Sequence, residues 1–199
     1  MQTLSELYAQ ISGCHACADL ARARNHVVPG EGSDHAQIVF IGEAPGYHED
    51  QQGRPFVGQA GQFLELLLSS IKLKRSDVYI CNVIKCRPPN NRDPMPTEIQ
   101  ACEKWLNRQL EIISPRMIVT LGRYSLAKFF PGESISKIHG KEKRRDSVIY
   151  YPMYHPAAAL HQQSLRKIIE ADMLNIPDIL AREQGAGEDG AKPQQLSLF

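Results

Sequence analysis

Cys14 and Cys17 form a C-x-x-C near the N-terminus, Cys86 stands in Lys85-Cys86-Arg87-Pro88-Pro89, and Cys102 follows 16 positions later. Four thiolates brought together hold an iron–sulfur cluster or a zinc ion. The plain alternative is a set of unligated thiols in the core. Cys81, the fifth cysteine, falls inside an apolar run and reads as a small buried residue. Between and beyond the cysteines lie Gly42-Glu43-Ala44-Pro45-Gly46, Gly53-Arg54-Pro55-Phe56-Val57-Gly58, Asn82 and His155-Pro156-Ala157. A ring to stack on, a carboxamide and an imidazole N–H are what a site needs to hold a flat base and read its edge. Taken singly, Phe56 fits core packing, Asn82 a strand-end turn and His155 a loop histidine.

Placing these groups together falls to alternating strands and helices. Ile38-Val39-Phe40-Ile41 predicts a short buried strand running into the glycine–proline turn. Val78-Tyr79-Ile80-Cys81 predicts a second, ending at Asn82. Met117-Ile118-Val119 predicts a third, and Val148-Ile149-Tyr150-Tyr151 a fourth that ends just before His155. Leu4, Leu7 and Ile11 recur at helical spacing and lead into Cys14. Phe63, Leu64, Leu67 and Leu68 mark another helix. Thr97-Glu98-Ile99-Gln100 fits a capping box before the apolar face of Ile99, Cys102, Leu106, Leu110 and Ile113. Leu126, Phe129 and Phe130 fall on a helix after Gly122, and Leu160 to about Leu180 is predicted mostly helical. The alternation predicts an α/β fold, a three-layer α/β/α sandwich around a four-stranded parallel sheet. Ligands bind such sheets beyond the carboxyl ends of the strands. The turn at 42–46, Asn82 and the segment around His155 all follow predicted strands.

The chain of 199 residues suits one well-buried domain, placed here at 1–182. Residues 183–199 are predicted to form a flexible tail. A net charge of +1 does not announce a nucleic-acid binder. The clusters Lys137, Lys141, Lys143, Arg144, Arg145 and Lys85, Arg87, Arg92 fit, on their own, an ordinary solvated surface. No segment is apolar and long enough to span a bilayer, and the N-terminus lacks the layout of a signal peptide. The expected compartment is the cytosol, where cysteines are reduced, metal-bound or buried rather than paired.

Together, the cysteines and the quoted motifs resemble the iron–sulfur uracil-DNA glycosylases, family 4, over roughly residues 4–180. The resemblance implies a DNA repair enzyme that hydrolyses the N-glycosidic bond of uracil. It implies a structural [4Fe–4S] cluster on Cys14, Cys17, Cys86 and Cys102. Phe56 would stack on uracil, Asn82 would read its edge, and His155 would donate to O2 as uracil leaves. Gly42, Ala44, Pro45 and Gly46 would contact base and sugar. A related family carries a water-positioning aspartate where this chain has Ala44, so Glu43 is the nearest motif carboxylate. That family's thymine-excluding tyrosine is replaced by Gly46, which leaves Tyr47 or Glu49 to crowd the C5 methyl. No motif places a lysine for Schiff-base chemistry, so a monofunctional glycosylase is expected.

Leu160 is the expected wedge in the DNA stack, its alternative being the first apolar residue of a helix. Lys85, Arg87 and Lys143 are expected phosphate contacts. The terminal Gln195-Leu196-Ser197-Leu198-Phe199 resembles the peptide by which bacterial repair proteins dock on the β sliding clamp. That implies a bacterial, nucleoid-associated monomer. Two alternatives keep the fold without turnover: an iron–sulfur DNA-binding module, or a protein that traps abasic sites covalently through a histidine in a basic insertion. The loop Pro88–Pro96 contains no histidine.

Overall fold

The computed structural model describes residues 2–188, with side chains through residue 182. Its strands are β1 (Glu31–Gly32), β2 (Ile38–Gly42), β3 (Tyr79–Asn82), β4 (Met117–Leu121), β5 (Lys143–Arg145) and β6 (Val148–Met153). Its helices are α1 (Leu4–Ser12), α2 (Ala18–Ala23), α3 (Tyr47–Gln52), α4 (Gln59–Ser70), α5 (Pro96–Ile113), α6 (Arg123–Phe129), α7 (Ile135–Ile138), α8 (Ala158–His161), α9 (Gln163–Leu174) and α10 (Ile176–Glu188). The last helix crosses the boundary placed at residue 182. The terminal peptide Gln195–Phe199 lies outside the described residues.

The strands form one sheet in the order β1-β3-β2-β4-β6-β5. The four central strands are parallel, as the alternation predicts. The sheet is wider than four strands, because β1 and β5 add antiparallel edges. Neither edge carries an apolar run. β1 has two residues, and β5 is Lys143-Arg144-Arg145, whose charge guards the edge against pairing with another chain.

The two faces are built by simple alternation. Ile38, Phe40, Val119, Leu121, Tyr151 and Met153 pack with Phe63, Leu64, Leu67 and Leu68 of α4 and Ile169 and Met173 of α9. Val39, Ile41, Tyr79, Cys81 and Ile118 pack on the other side with Leu4, Leu7 and Ile11 of α1 and Leu106 and Ile113 of α5. Residues on parallel central strands are apolar in both directions because helices cover both faces. The strand after β2 lies on one side of it and the next strand on the other. β2 therefore ends at a topological switch point, where such sheets open a crevice.

One helix start differs from the expected capping box at Thr97. α5 begins at Pro96, and the Glu98 carboxylate accepts from the Met95 N–H at 2.8 Å. Proline at the first helical position needs no N–H partner, so the cap moves two residues upstream.

Candidate active site

The crevice opens where β2, β3 and β6 end. Gly42 pairs with Asn82 in register, and His155 lies two residues beyond β6. The cleft measures about 430 Å³, within the range of small-ligand sites. Its lining includes Glu43, Ala44, Pro45, Gly46, Glu49, Phe56, Asn82, Asn91, Arg92, His155, Ala157 and His161. The motif residues singled out from sequence thus converge on one cavity.

Close packing at its floor explains Gly42. A Cβ there would sit 2.4 Å from Asn82 Oδ1 and 2.6 Å from Phe56 Cζ. Glycine alone lets the carboxamide and the aromatic ring meet over the strand end. Asn82 is 2 % exposed, and its Oδ1 has no hydrogen-bond partner. A buried acceptor without a donor is costly in a resting fold, so such an atom marks a place where a ligand donor belongs.

Phe56 holds a left-handed backbone, with φ +53°. For a bulky side chain that conformation costs about 1–3 kcal/mol and persists only where its surroundings enforce it. Arg75 enforces it from one side, donating to the Phe56 carbonyl at 2.9 Å and to the Pro55 carbonyl at 2.5 Å. Glu49 enforces it from the other, with Oε1 accepting from the N–H groups of Val57 and Gly58, both at 2.8 Å. The other Glu49 oxygen accepts from the Gly46 N–H at 3.1 Å. One carboxylate therefore joins the 42–46 turn to the Phe56 turn. The Phe56 ring faces the His155 ring at 5.5 Å, inclined by 25°.

His155 Nδ1 accepts from the Ala157 N–H at 3.1 Å, which puts the proton of the neutral ring on Nε2. Burial pushes its pKa down to about 4, against a smaller upward pull from Glu49. At neutral pH it is an uncharged N–H donor. Glu43 lines the same cleft. Burial raises its pKa, Asp93 adds to the rise, and Arg123 opposes it. Arg123 and Asp93 are ion-paired at 2.6 Å.

The four cysteines come together elsewhere. Cys14 follows α1, Cys17 caps α2, Cys86 follows β3 and Cys102 lies on α5, and all four line one cavity. Trp105 Nε1 donates to Cys14 Sγ at 3.4 Å, and Arg24 Nη1 to Cys86 Sγ at 3.0 Å. Donors aimed at sulfur suit thiolates. Burial pushes the Cys102 thiol up to about 11 and also raises Cys17 and Cys86. Among the described residues no three His, Cys, Asp or Glu side chains close on a single ion. All four sulfurs belong to residues that line this one cavity. Cys81 is buried on the sheet and does not line this cavity.

A family model described as the uracil DNA glycosylase superfamily matches residues 29–174. A type-4 uracil-DNA glycosylase of Sulfurisphaera tokodaii is 47% identical over 189 residues, spanning 90% of this chain and 86% of its own. One of Archaeoglobus fulgidus is 44% identical over 193 residues, spanning 92% and 96%. One of Thermotoga maritima is 44% identical over 190 residues, with the same shares.

The chain belongs to the type-4 uracil-DNA glycosylase family.

Within that family frame, the expected phosphate contacts separate. Lys85 is a correction. It is 1 % exposed, and its ammonium donates to the Asn82 carbonyl at 2.7 Å, so it cannot meet a phosphate. Lys143 sits on the edge strand, paired with Glu133 and lying over the Phe130 ring. Arg87 donates to the cleft-lining Asn91 and lies over the Tyr47 ring. Leu160 is 47% exposed on α8, between the lining residues Ala157 and His161. Tyr47 is exposed and outside the cleft lining, while the Glu49 carboxylate is occupied by three backbone N–H groups. Glu49 and Arg75 carry no motif of their own as holders of the Phe56 turn. Their nearest signal is a carboxylate on α3 and an arginine just before β3.

Proposed function

We propose that this chain hydrolyses the N-glycosidic bond of uracil in DNA, releasing free uracil and leaving an abasic site. The observation that carries the reading is the unpartnered, buried Asn82 Oδ1 beside the Phe56 ring and the His155 N–H donor. Uracil offers N3–H as a donor and O4 as an acceptor. The Asn82 carboxamide answers both, with Oδ1 to N3–H and Nδ2–H to O4. Cytosine reverses this pattern and would leave the buried amide mismatched. Phe56 supplies the stacking face.

As the C1′–N1 bond breaks, the electron pair goes to uracil, largely onto O2, and the sugar takes on oxocarbenium character. His155 Nε2–H donates to O2 and stabilises that charge. A fixed neutral donor needs no reorganisation as the charge develops. Water adds to C1′, giving up its proton, and the uracil anion is protonated after release. Glu43 is the carboxylate in position to accept from that water. No lysine lines the cleft among the described residues, which supports hydrolysis without strand cleavage.

Cys14, Cys17, Cys86 and Cys102 would hold a [4Fe–4S] cluster. When bound, it supplies a rigid crosslink among α1, α2, the loop after β3 and α5, and glycosidic hydrolysis needs no electron from it. Leu160 enters the stack as the wedge, and Arg87 meets phosphate. The terminal peptide Gln195–Phe199 docks the monomer on a bacterial β sliding clamp, bringing repair to the nucleoid.

The test is incubation of iron-loaded protein with a uracil-containing oligonucleotide. Free uracil with an intact, alkali-labile strand supports the reading. Tight binding without base release contradicts it and favours the non-enzymatic alternative. Loss of clamp binding on deleting residues 195–199 would support the docking peptide.

A further inference from the structure

Lys85 takes no part in the reaction above, yet its position is specific. Its ammonium donates to the Asn82 carbonyl at 2.7 Å. The residue lines the four-cysteine cavity. Its carbonyl accepts from the Val28 N–H at 2.8 Å. The carboxylate nearest at hand in that cavity, Glu98, is taken by Arg92 at 2.6 Å. A buried ammonium with only neutral partners is strongly disfavoured, so its counter-charge must come from elsewhere. A cluster ligated by four thiolates is anionic, and the cavity for it is the one Lys85 lines.

We propose that Lys85 is a positioning residue that ties the iron–sulfur site to base recognition. Its charge answers the anionic cluster, and its ammonium fixes the Asn82 carbonyl so that the carboxamide stays aimed into the cleft. The same short segment is held further by Val83 N–H to the Gly42 carbonyl and Ile84 N–H to the Glu43 carbonyl, at 3.0 and 3.2 Å. Lys85 is therefore the direct link from the cysteine cavity to the residue that reads the base. The inference rests on the cluster-bearing reading of the four cysteines.

Two variants separate its parts: Lys85→Met removes both charge and donor, and Lys85→Gln removes the charge but keeps a donor. Iron content comes first. The reduction potential is then read by protein-film voltammetry. Affinity is read for an oligonucleotide carrying a non-hydrolysable uracil nucleotide, against the undamaged sequence. Both variants should shift the potential to more negative values, because losing a nearby cation disfavours adding an electron. Lys85→Met should bind the uracil oligonucleotide about tenfold more weakly, with unchanged affinity for undamaged DNA, and Lys85→Gln should lose less.

Iron-loaded Lys85→Met with wild-type potential and wild-type base discrimination would overturn the proposal. If neither uncharged variant holds iron, Lys85→Arg decides. Iron uptake by it supports the counter-charge role, and failure there too makes Lys85 a packing residue. Wild-type protein without iron would instead overturn the cluster reading itself.

Discussion

Asn82 and Cys86 are four residues apart and face two different cavities. The cleft around Asn82 is open, has polar groups at its floor and holds a buried acceptor with no partner. The cavity around Cys86 is lined by thiols, apolar side chains and the charged Arg24, Lys85 and Glu98, with Arg24 and Trp105 donating to its sulfurs. One is built to exchange its occupant and leaves hydrogen-bonding capacity unspent. The other spends its donors on sulfur. The contrast lies in how polar atoms are satisfied, since both cavities draw on the same loop.

The sharpest way to break the contrast is at His155. His155→Ala should lower single-turnover uracil release by about 10²–10³-fold, the usual cost of removing one preorganised donor. Cluster absorbance should be unchanged. Conversely, Cys102→Ala should deplete iron and lower thermal stability, since α5 loses its crosslink to the loop after β3. A Cys102→Ala protein that keeps full iron and stability would erase the distinction between the two cavities.

Gly42→Ala should destabilise the cleft floor by about 1–3 kcal/mol and weaken binding of a uracil nucleotide. The added Cβ would meet Asn82 Oδ1 and Phe56. Thermal melts and product-inhibition constants check it.

The pH profile sharpens the chemistry. His155, with a pKa of about 4, stays neutral above that value, so no inflection should appear near the ordinary histidine range. Glu43 is raised above the ordinary 4.5 and therefore takes up its proton first as pH falls. If its carboxylate accepts from water, activity declines through that higher value, and Glu43→Gln removes the acid limb. The smallest effect concerns DNA contacts. Arg87→Ala should reduce the salt slope of DNA binding by about one charge, while Lys85→Met should leave that slope unchanged.

The parallel core was legible because its strands are apolar on both faces and end at turns or polar residues. Asn82 and His155 stood out by type and by following predicted strands, and Phe56 by its place in the glycine-flanked segment Gly53–Gly58. What stayed hidden had no periodic signature. β1 is two residues long and β5 is wholly basic, so neither shows alternation. Lys85 sits in a basic-looking segment, and nothing in the sequence says that the chain turns its side chain inward after β3. Glu49 is one carboxylate among several on α3, and its three backbone contacts arise only when two turns meet. The cap of α5 moved because Pro96 could occupy the first helical position as readily as Thr97 could cap it.

The most direct test of the account is the rate of uracil release under single-turnover conditions for iron-loaded wild type, Asn82→Ala and His155→Ala. The account predicts free uracil from wild type, with Asn82→Ala losing discrimination between uracil and cytosine and His155→Ala losing rate at saturating DNA. Wild-type rates and wild-type base preference in both variants would contradict it.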